Sequence, residues 1–321
     1  YNNYDVNKTN KFFINDILWD SKNFLNKKGF LNSFKAQIKN TNYDSKGDAS
    51  LKQKNNNHEI SGAIAFKSEL PMQKETANYI KTLSPNFMLR YAPGHMRDLR
   101  DEDILLSYAN LFSMNKTTEN DVIESGLSTT LGIDLTFDEK KGTGDEEKFN
   151  LSLGQVFRPK KNKDISNKSS LDQLMSDIVG EARYNFAENG VIDYKFSLDH
   201  NLSSLNYNEI STELNFGKID FNLDYLEESN HVGNENYVKT GITLNINDSN
   251  SFNFNTKKNF KTESTEYYNF NYQYLNDCLT AGIEFNRNFY SDRDLEPSDT
   301  LMFKISFVPF GGITTPSIYR E

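Results

Sequence analysis

The sequence predicts an all-β protein, an antiparallel transmembrane β-barrel of roughly fifteen meandering strands. Three observations predict it. Apolar and polar residues alternate with a period of two over eight or more residues, the pattern of a strand with one apolar and one polar face. The segments reach about 10 to 14 residues, longer than the ~5–6 of soluble sheets. Their polar faces are charged or amide, as suits a wet interior, and aromatics gather near strand ends, as at Tyr267-Tyr268 and Phe289-Tyr290, like interfacial girdles. A soluble β-sandwich or propeller is the other architecture that alternating strands allow.

In chain order, the first half holds longer strands with longer loops, near 11–25, 30–42, 58–70, 82–93, 120–137 and 146–158. Residues 44–57 and 159–172 are polar, Lys/Asn/Ser-rich and read as loops. The second half alternates more tightly, near 174–187, 191–203, 206–216, 218–228, 236–246, 250–261, 266–275, 279–290 and 300–309. Ile219, Phe221, Leu223 and Tyr225 interleave with Asp220, Asn222 and Asp224, and Tyr268, Phe270, Tyr272 and Tyr274 with Asn269, Asn271 and Gln273. Asn189-Gly190, Gly217-Lys218 and Asp248-Ser249-Asn250 mark tight turns. No segment of convincing length carries a helical period.

Composition narrows the class. The 321 residues carry 36 Lys+Arg against 45 Asp+Glu, a net charge of −9, which argues against a nucleic-acid groove. No apolar run approaches the ~20 residues of a transmembrane helix. The single cysteine, Cys278, excludes a disulfide framework within the chain and a thiolate zinc site. With 24 Phe, 17 Tyr and 1 Trp in ordered patterns, disorder is not expected. The chain opens YNNYDVNKTN, without Met or an apolar leader, and is expected to be a mature, trimmed or partial chain.

Particular residues go further. Leu83–Met114 reads LSPNFMLRYAPGHMRDLRDEDILLSYANLFSM, followed by ESGLSTTLGIDL at Glu124–Leu135, LGQVFR at Leu153–Arg158 and MSDIVG at Met175–Gly180. Near the end stand NDCL at Asn276–Leu279, GIEF at Gly282–Phe285 and DRDLEPSDTLMFKISFVPFGG at Asp292–Gly312. In this order and spacing they resemble the LptD family, the LPS-assembly or organic solvent tolerance proteins. The resemblance covers most of the chain and implies an outer-membrane lipopolysaccharide translocon. Its expected partners are lipopolysaccharide, a plug lipoprotein of the LptE type, a periplasmic bridge protein of the LptA type and membrane lipids, with no nucleic acid. Family members carry an N-terminal periplasmic jellyroll and a larger barrel. Residues 1–321 therefore read as the C-terminal part of that barrel, without the jellyroll. A general porin or passive uptake barrel is the alternative; a soluble β-rich adhesin is a third class.

The candidate sites follow. His58, His95, His200 and His231 show no metal-ligand spacing with one another or with Cys278. No nucleophile elbow, phosphate loop or zinc-protease motif occurs, so neither catalysis nor a cofactor is expected. The segment His95–Asp103 is dense in charge: either a solvated loop, or a loop folded into the lumen where Arg97 and Arg100 pair with Asp98, Asp101 or Asp103. Cys278 reads as a free thiol on its own; the resemblance implies instead a disulfide to a cysteine outside this chain. The last strand, 300–309, points Leu301, Phe303, Ile305 and Phe307 outward and Met302, Lys304 and Ser306 inward. Pro309 cannot donate to a strand ladder, so it either ends the strand or weakens a lateral seam before Gly311-Gly312.

Overall fold

The computed structural model describes residues 2–5, 8–47, 51, 57–142, 144–186, 189–229, 233–289, 297–307, 311–314 and 318–320. Twenty strands run through them. The first nine are β1 (Asn2–Asp5), β2 (Lys8–Asp20), β3 (Phe24–Leu25), β4 (Leu31–Lys46), β5 (Asn57–Glu69), β6 (Met72–Glu75), β7 (Tyr79–Ala92), β8 (Gly126–Lys141) and β9 (Gly144–Phe157). Then come β10 (Ile178–Asn185), β11 (Gly190–Leu198), β12 (Leu205–Asn215), β13 (Ile219–Glu228), β14 (Asn236–Asn247) and β15 (Asn250–Asn259). The last are β16 (Ser264–Leu275), β17 (Leu279–Asn288), β18 (Ser298–Phe307), β19 (Gly311–Thr314) and β20 (Ile318–Arg320). Fifteen have eight or more residues and coincide with the expected strands. The five others have four or fewer, too short for alternation to reveal. The fold is all-β and antiparallel, a meander of the transmembrane-barrel type. No helix is long and apolar enough to cross a membrane.

Two compact units divide the chain. The first comprises residues up to Ala182 with Lys195–Asn206; the second comprises Arg183–Tyr194, Tyr207–Ser229 and the described residues from Asn234 on. In the second unit each strand from β12 to β18 pairs with the next, and the register aligns like with like. Leu214, Phe221, Ile242, Phe254, Phe270, Phe285 and Leu301 stand opposite one another in one unbroken row. One residue along, on the other face, lies the row Asn222, Gly241, Asn255, Asn269 and Asn286. A Cβ on Gly241 would meet Asn222 Oδ1 at 2.1 Å and Asn255 Oδ1 at 2.6 Å, so the glycine lets two amides close over it. The period-two pattern thus separates an apolar from an amide face, and a slip of one residue would invert both. Tyr225 meets Phe260 and Tyr268 meets Phe289 edge-on at 6.5 and 5.5 Å near one end of this sheet, as an aromatic girdle would.

The first unit is built likewise from β2, β4, β5, β7, β8 and β9. Its outer face carries exposed Ile17, Trp19, Ile38, Ile64, Leu89 and Leu131. Its other face is covered. Residues 93–125, joining β7 to β8, and 158–177, joining β9 to β10, fold back over it.

Two expectations need correction here. A strand was expected from 120, but residues 120–125 belong to the covering loop and β8 begins at Gly126; their apolar Val122 and Ile123 are buried by packing rather than by sheet pairing. The strand at 300–309 was expected to be the last. Instead β19 pairs with β18 through Gly311↔Phe307 to Thr314↔Lys304, and β20 through Ile318↔Leu301 to Arg320↔Asp299. Pro309 lies outside the described residues.

Candidate functional site

The covering loop 93–125 is held by a core cluster, a buried charge cluster and side-chain hydrogen bonds. It contains one turn of helix, α1 (Tyr108–Leu111), where Asn110 Oδ1 accepts from the Ser107 N–H at 2.9 Å. A four-residue helix leaves too little period for a sequence pattern. Leu99, Ile104, Leu106, Leu111 and Val122 pack with Val156 and Val179 of the sheet and with Ile165 and Leu171 of the second loop. The segment 159–172, expected to be a polar loop, therefore contributes core residues: two apolar side chains at loop spacing make no periodic signal.

The wall is shaped for this load. Ala63, Ala65, Met88 and Ala92 lie beneath Met114 and Ile123. Gly132 and Gly154 are directly opposite on β8 and β9. A Cβ on Gly154 would stand 2.3 Å from Leu111 Cδ2, and one on Gly132 2.8 Å from Phe112 Cζ. Side-chain-free backbone is the seat of α1.

Charge fixes the loop at one point. Glu124, fully buried, has Arg158 at 3.0 Å, Arg90 at 3.3 Å and Lys116 at 3.4 Å from its Oε1. Arg90 stands on β7 and its guanidinium also donates to the carbonyls of Met114 at 2.5 Å and Glu124 at 2.8 Å. One wall residue thereby closes the arc 114–124. Asn115 ties the same arc from inside, donating to Glu119 O at 2.8 Å and Val122 O at 2.9 Å. From β4, Lys39 Nζ donates to Asn120 O at 2.6 Å and Thr41 Oγ1 to Asp121 O at 2.9 Å. Burial pushes the Glu124 carboxyl upward, but Lys116, Arg158 and Arg90 outweigh it and hold it at about 2. Lys116 is pushed down to about 8, by burial first.

A pH dependence follows. The folded-state pKa of Glu124 lies below its unfolded value, so its stabilisation is complete above about pH 4.5 and is lost as the pH falls toward about 2. Acid should release loop 93–125 in that window. Limited proteolysis within the loop would report it; cleavage that does not change down to pH 2 would contradict it.

The expected site residues take their places around this cluster. Arg97 is drawn inward and pairs with Asp121 at 2.7 Å, a partner the sequence did not suggest because it lies 24 residues away. Arg100 pairs with Asp98 locally and in the open, and Asp103 faces Lys168 at 3.4 Å. Asp101 is exposed. Arg100, Asp101 and Asp103 thus form the loop's exposed rim around the buried Leu99, and the buried work falls to Arg90, Lys116, Glu124 and Arg158, which were not singled out. Arg90 and Arg158 sit at the ends of strand segments, LRYA and VFRP; an inward-facing arginine at a strand end is the one signal that could have found them.

Elsewhere, Asp177, Asp199 and His200 bring ligand atoms within 4.8 Å. Asp177 Oδ2 already accepts from Ser197 at 2.9 Å and Asn206 at 2.8 Å, and Asp199 from Ser203 at 2.7 Å. The trio reads as a hydrogen-bonded loop anchor. Cys278 is an exposed thiol in the tight turn between β16 and β17, where Asn276 Oδ1 accepts from the N–H groups of Cys278 at 3.0 Å and Leu279 at 2.8 Å. On β18, Phe303, Ile305 and Phe307 are exposed on the apolar face, in line with Leu301. Lys304 borders a small cavity of about 150 Å³ with Met302, Asn271 and Glu284 on the polar face, the face shared by Ser306.

Comparison with known proteins gives one family and a set of distant folds. The family model described as LPS transport system D matches residues 20–240. No curated protein matches the chain. Among solved structures, a triple mutant of the Rhodopseudomonas blastica porin is 10% identical, with 93% of each chain covered and a TM-score of 0.36. Another mutant of that porin is 9% identical, covering 84% of this chain and 87% of its own, with a TM-score of 0.35. Likenesses at this level add nothing to the reading of the site.

Proposed function

The chain belongs to the LPS transport system D family, a transport family rather than an enzyme family, and from that premise we propose that it walls the path by which lipopolysaccharide reaches the outer leaflet. Residues 1–321 would be the C-terminal part of the barrel domain. The observation that carries the reading is the division of β12–β18 into an apolar row and an amide row. Such a wall can stand between lipid and a hydrated lumen, so an amphiphile can leave acyl chains on one side and sugars on the other. The docked loop 93–125 supports a lumen that is filled rather than open. A plug lipoprotein of the LptE type would complete the filling. A bridge protein of the LptA type would deliver lipopolysaccharide through a periplasmic jellyroll domain.

In this reading the amphiphile exits sideways at the C-terminal edge. The described strand residues there, Gly311–Thr314 and Ile318–Arg320, both pair with β18. In the sequence Pro309 can give no N–H to a ladder and Gly311-Gly312 adds backbone freedom, which is what a seam that opens requires, one strand beyond β18. Cysteines engineered at Tyr319 and at the facing residue of the barrel's first strand should lock it. Lipopolysaccharide should then stop reaching the cell surface and resume on reduction; arrival at the normal rate with the lock formed would refute lateral exit.

The tight turns of an outer-membrane barrel face the periplasm, which is oxidising, and Cys278 lies in such a turn. The family resemblance implies that in the full-length protein it is oxidised to a cysteine outside this chain. Reduction should change the mobility on a gel, and Cys278→Ser should abolish the change. A thiol that is freely alkylated in the native protein would argue against the bond.

A further inference from the structure

Beside the docked loop lies a cavity of about 630 Å³ between residues 91–95, 125–127 and 158–164. Its charge runs against that of the chain as a whole. Arg158 stands at its base and Lys160, Lys161 and Lys163 line it, against one lining carboxylate, Asp164. The net charge of the chain is −9, so four cations in the six residues 158–163 are not the background. His95, from the covering loop itself, also lines it.

The base is built, not incidental. Arg158 is 6% exposed, and its Nε has no hydrogen-bond partner among the described residues. Its Nη2 is held by Glu124 at 3.0 Å and its Nη1 by the Ser125 carbonyl at 3.2 Å, so the guanidinium cannot swing away. Glu124 does not neutralise it, because that carboxylate is shared with Arg90 and Lys116. Gly126, at φ +101°, runs alongside the guanidinium: a Cβ there would lie 3.7 Å from Arg158 Nη1, in ordinary contact. None of Lys160, Lys161 and Lys163 is engaged in an ion pair among the described residues. A fixed, partly unsatisfied guanidinium with three exposed ammonium groups lining the same cavity suits a compact polyanion whose oxygens point in several directions.

The geometry points to an anion site for a phosphomonoester, at which the barrel holds its amphiphile by a headgroup phosphate. The second half of that statement rests on the transport reading; the first does not. The lysines, exposed and outside the strands, can be changed without touching the buried cluster. The test uses the full-length protein in neutral detergent and its Lys160→Gln/Lys161→Gln/Lys163→Gln variant. Both are titrated with a phosphorylated glucosamine glycolipid, with the same glycolipid after phosphatase treatment, and with inorganic phosphate. The wild type should prefer the phosphorylated glycolipid about tenfold, the scale of a few exposed charge contacts. The preference should shrink as salt rises and be lost in the variant. Competition by inorganic phosphate assigns the site to the phosphate itself; its failure to compete, with the glycolipid preference intact, assigns the site to the headgroup. Equal binding of both glycolipids, or a preference that survives in the variant, overturns the proposal. If the preference holds but no lipopolysaccharide is delivered in a transport assay, the transport reading fails and the anion site stands.

Discussion

Glu124→Ala is expected to destabilise the protein by about 3–5 kcal/mol, the cost of breaking a buried ion group from one side. The substitution removes the carboxylate that, among the described residues, pairs with Arg90, Lys116 and Arg158, and leaves three like charges out of water. Each attraction at ~3 Å amounts to roughly 5 kcal/mol at an effective dielectric of about 20. Desolvation offsets much of that while the cluster is intact and opposes folding once Glu124 is gone. Glu124→Gln keeps the size and an acceptor and should fall between. The measurement is the unfolding midpoint in denaturant, in micelles, together with protease access to 93–125. An unchanged midpoint would mean that the cluster is solvated in solution and does not hold the loop.

The second large effect concerns sidedness. Phe270→Arg, in the centre of the apolar row, should cost ~2–4 kcal/mol when the protein is folded in a bilayer. Asn271→Arg, one residue along, points to the amide face and should cost far less. Leu223→Arg against Asp220→Arg poses the same question on β13. Rows on one face are ~6.7 Å apart along a strand, so Phe270 lies well inside the ~25 Å band of a membrane barrel and cannot easily snorkel out. Similar costs for the two members of each pair would remove the case for lipid on the apolar side.

Much of the architecture was readable because strand physics is local. Alternation at Ile219–Tyr225 or Tyr268–Tyr274 is set by neighbours two residues apart, so all fifteen long strands were visible. The seat of the loop was not, because its logic is between segments. Gly132 and Gly154 matter only because Leu111 and Phe112 arrive above them. Arg97 finds Asp121 across 24 residues. The charged run His95–Asp103 drew attention as a string, yet its most exposed members do least. The buried Lys116 sits in NKTTEND, which reads as ordinary solvated loop. The strand residues after Phe307 escaped for a simpler reason: the sequence GGITTPSIYR at Gly311–Arg320 shows no apolar alternation.

The row Asn222, Gly241, Asn255, Asn269 and Asn286 has one more implication. A carboxamide both gives and takes hydrogen bonds, as a sugar hydroxyl does, and it does not titrate. In the proposed transport a glycan could exchange one amide partner for the next along this row. The amides themselves would add no dependence on pH or salt to its passage; that dependence would come from Glu284, which accepts from Asn269 at 3.2 Å and from Asn286 at 2.8 Å, and from Lys304 on the same face.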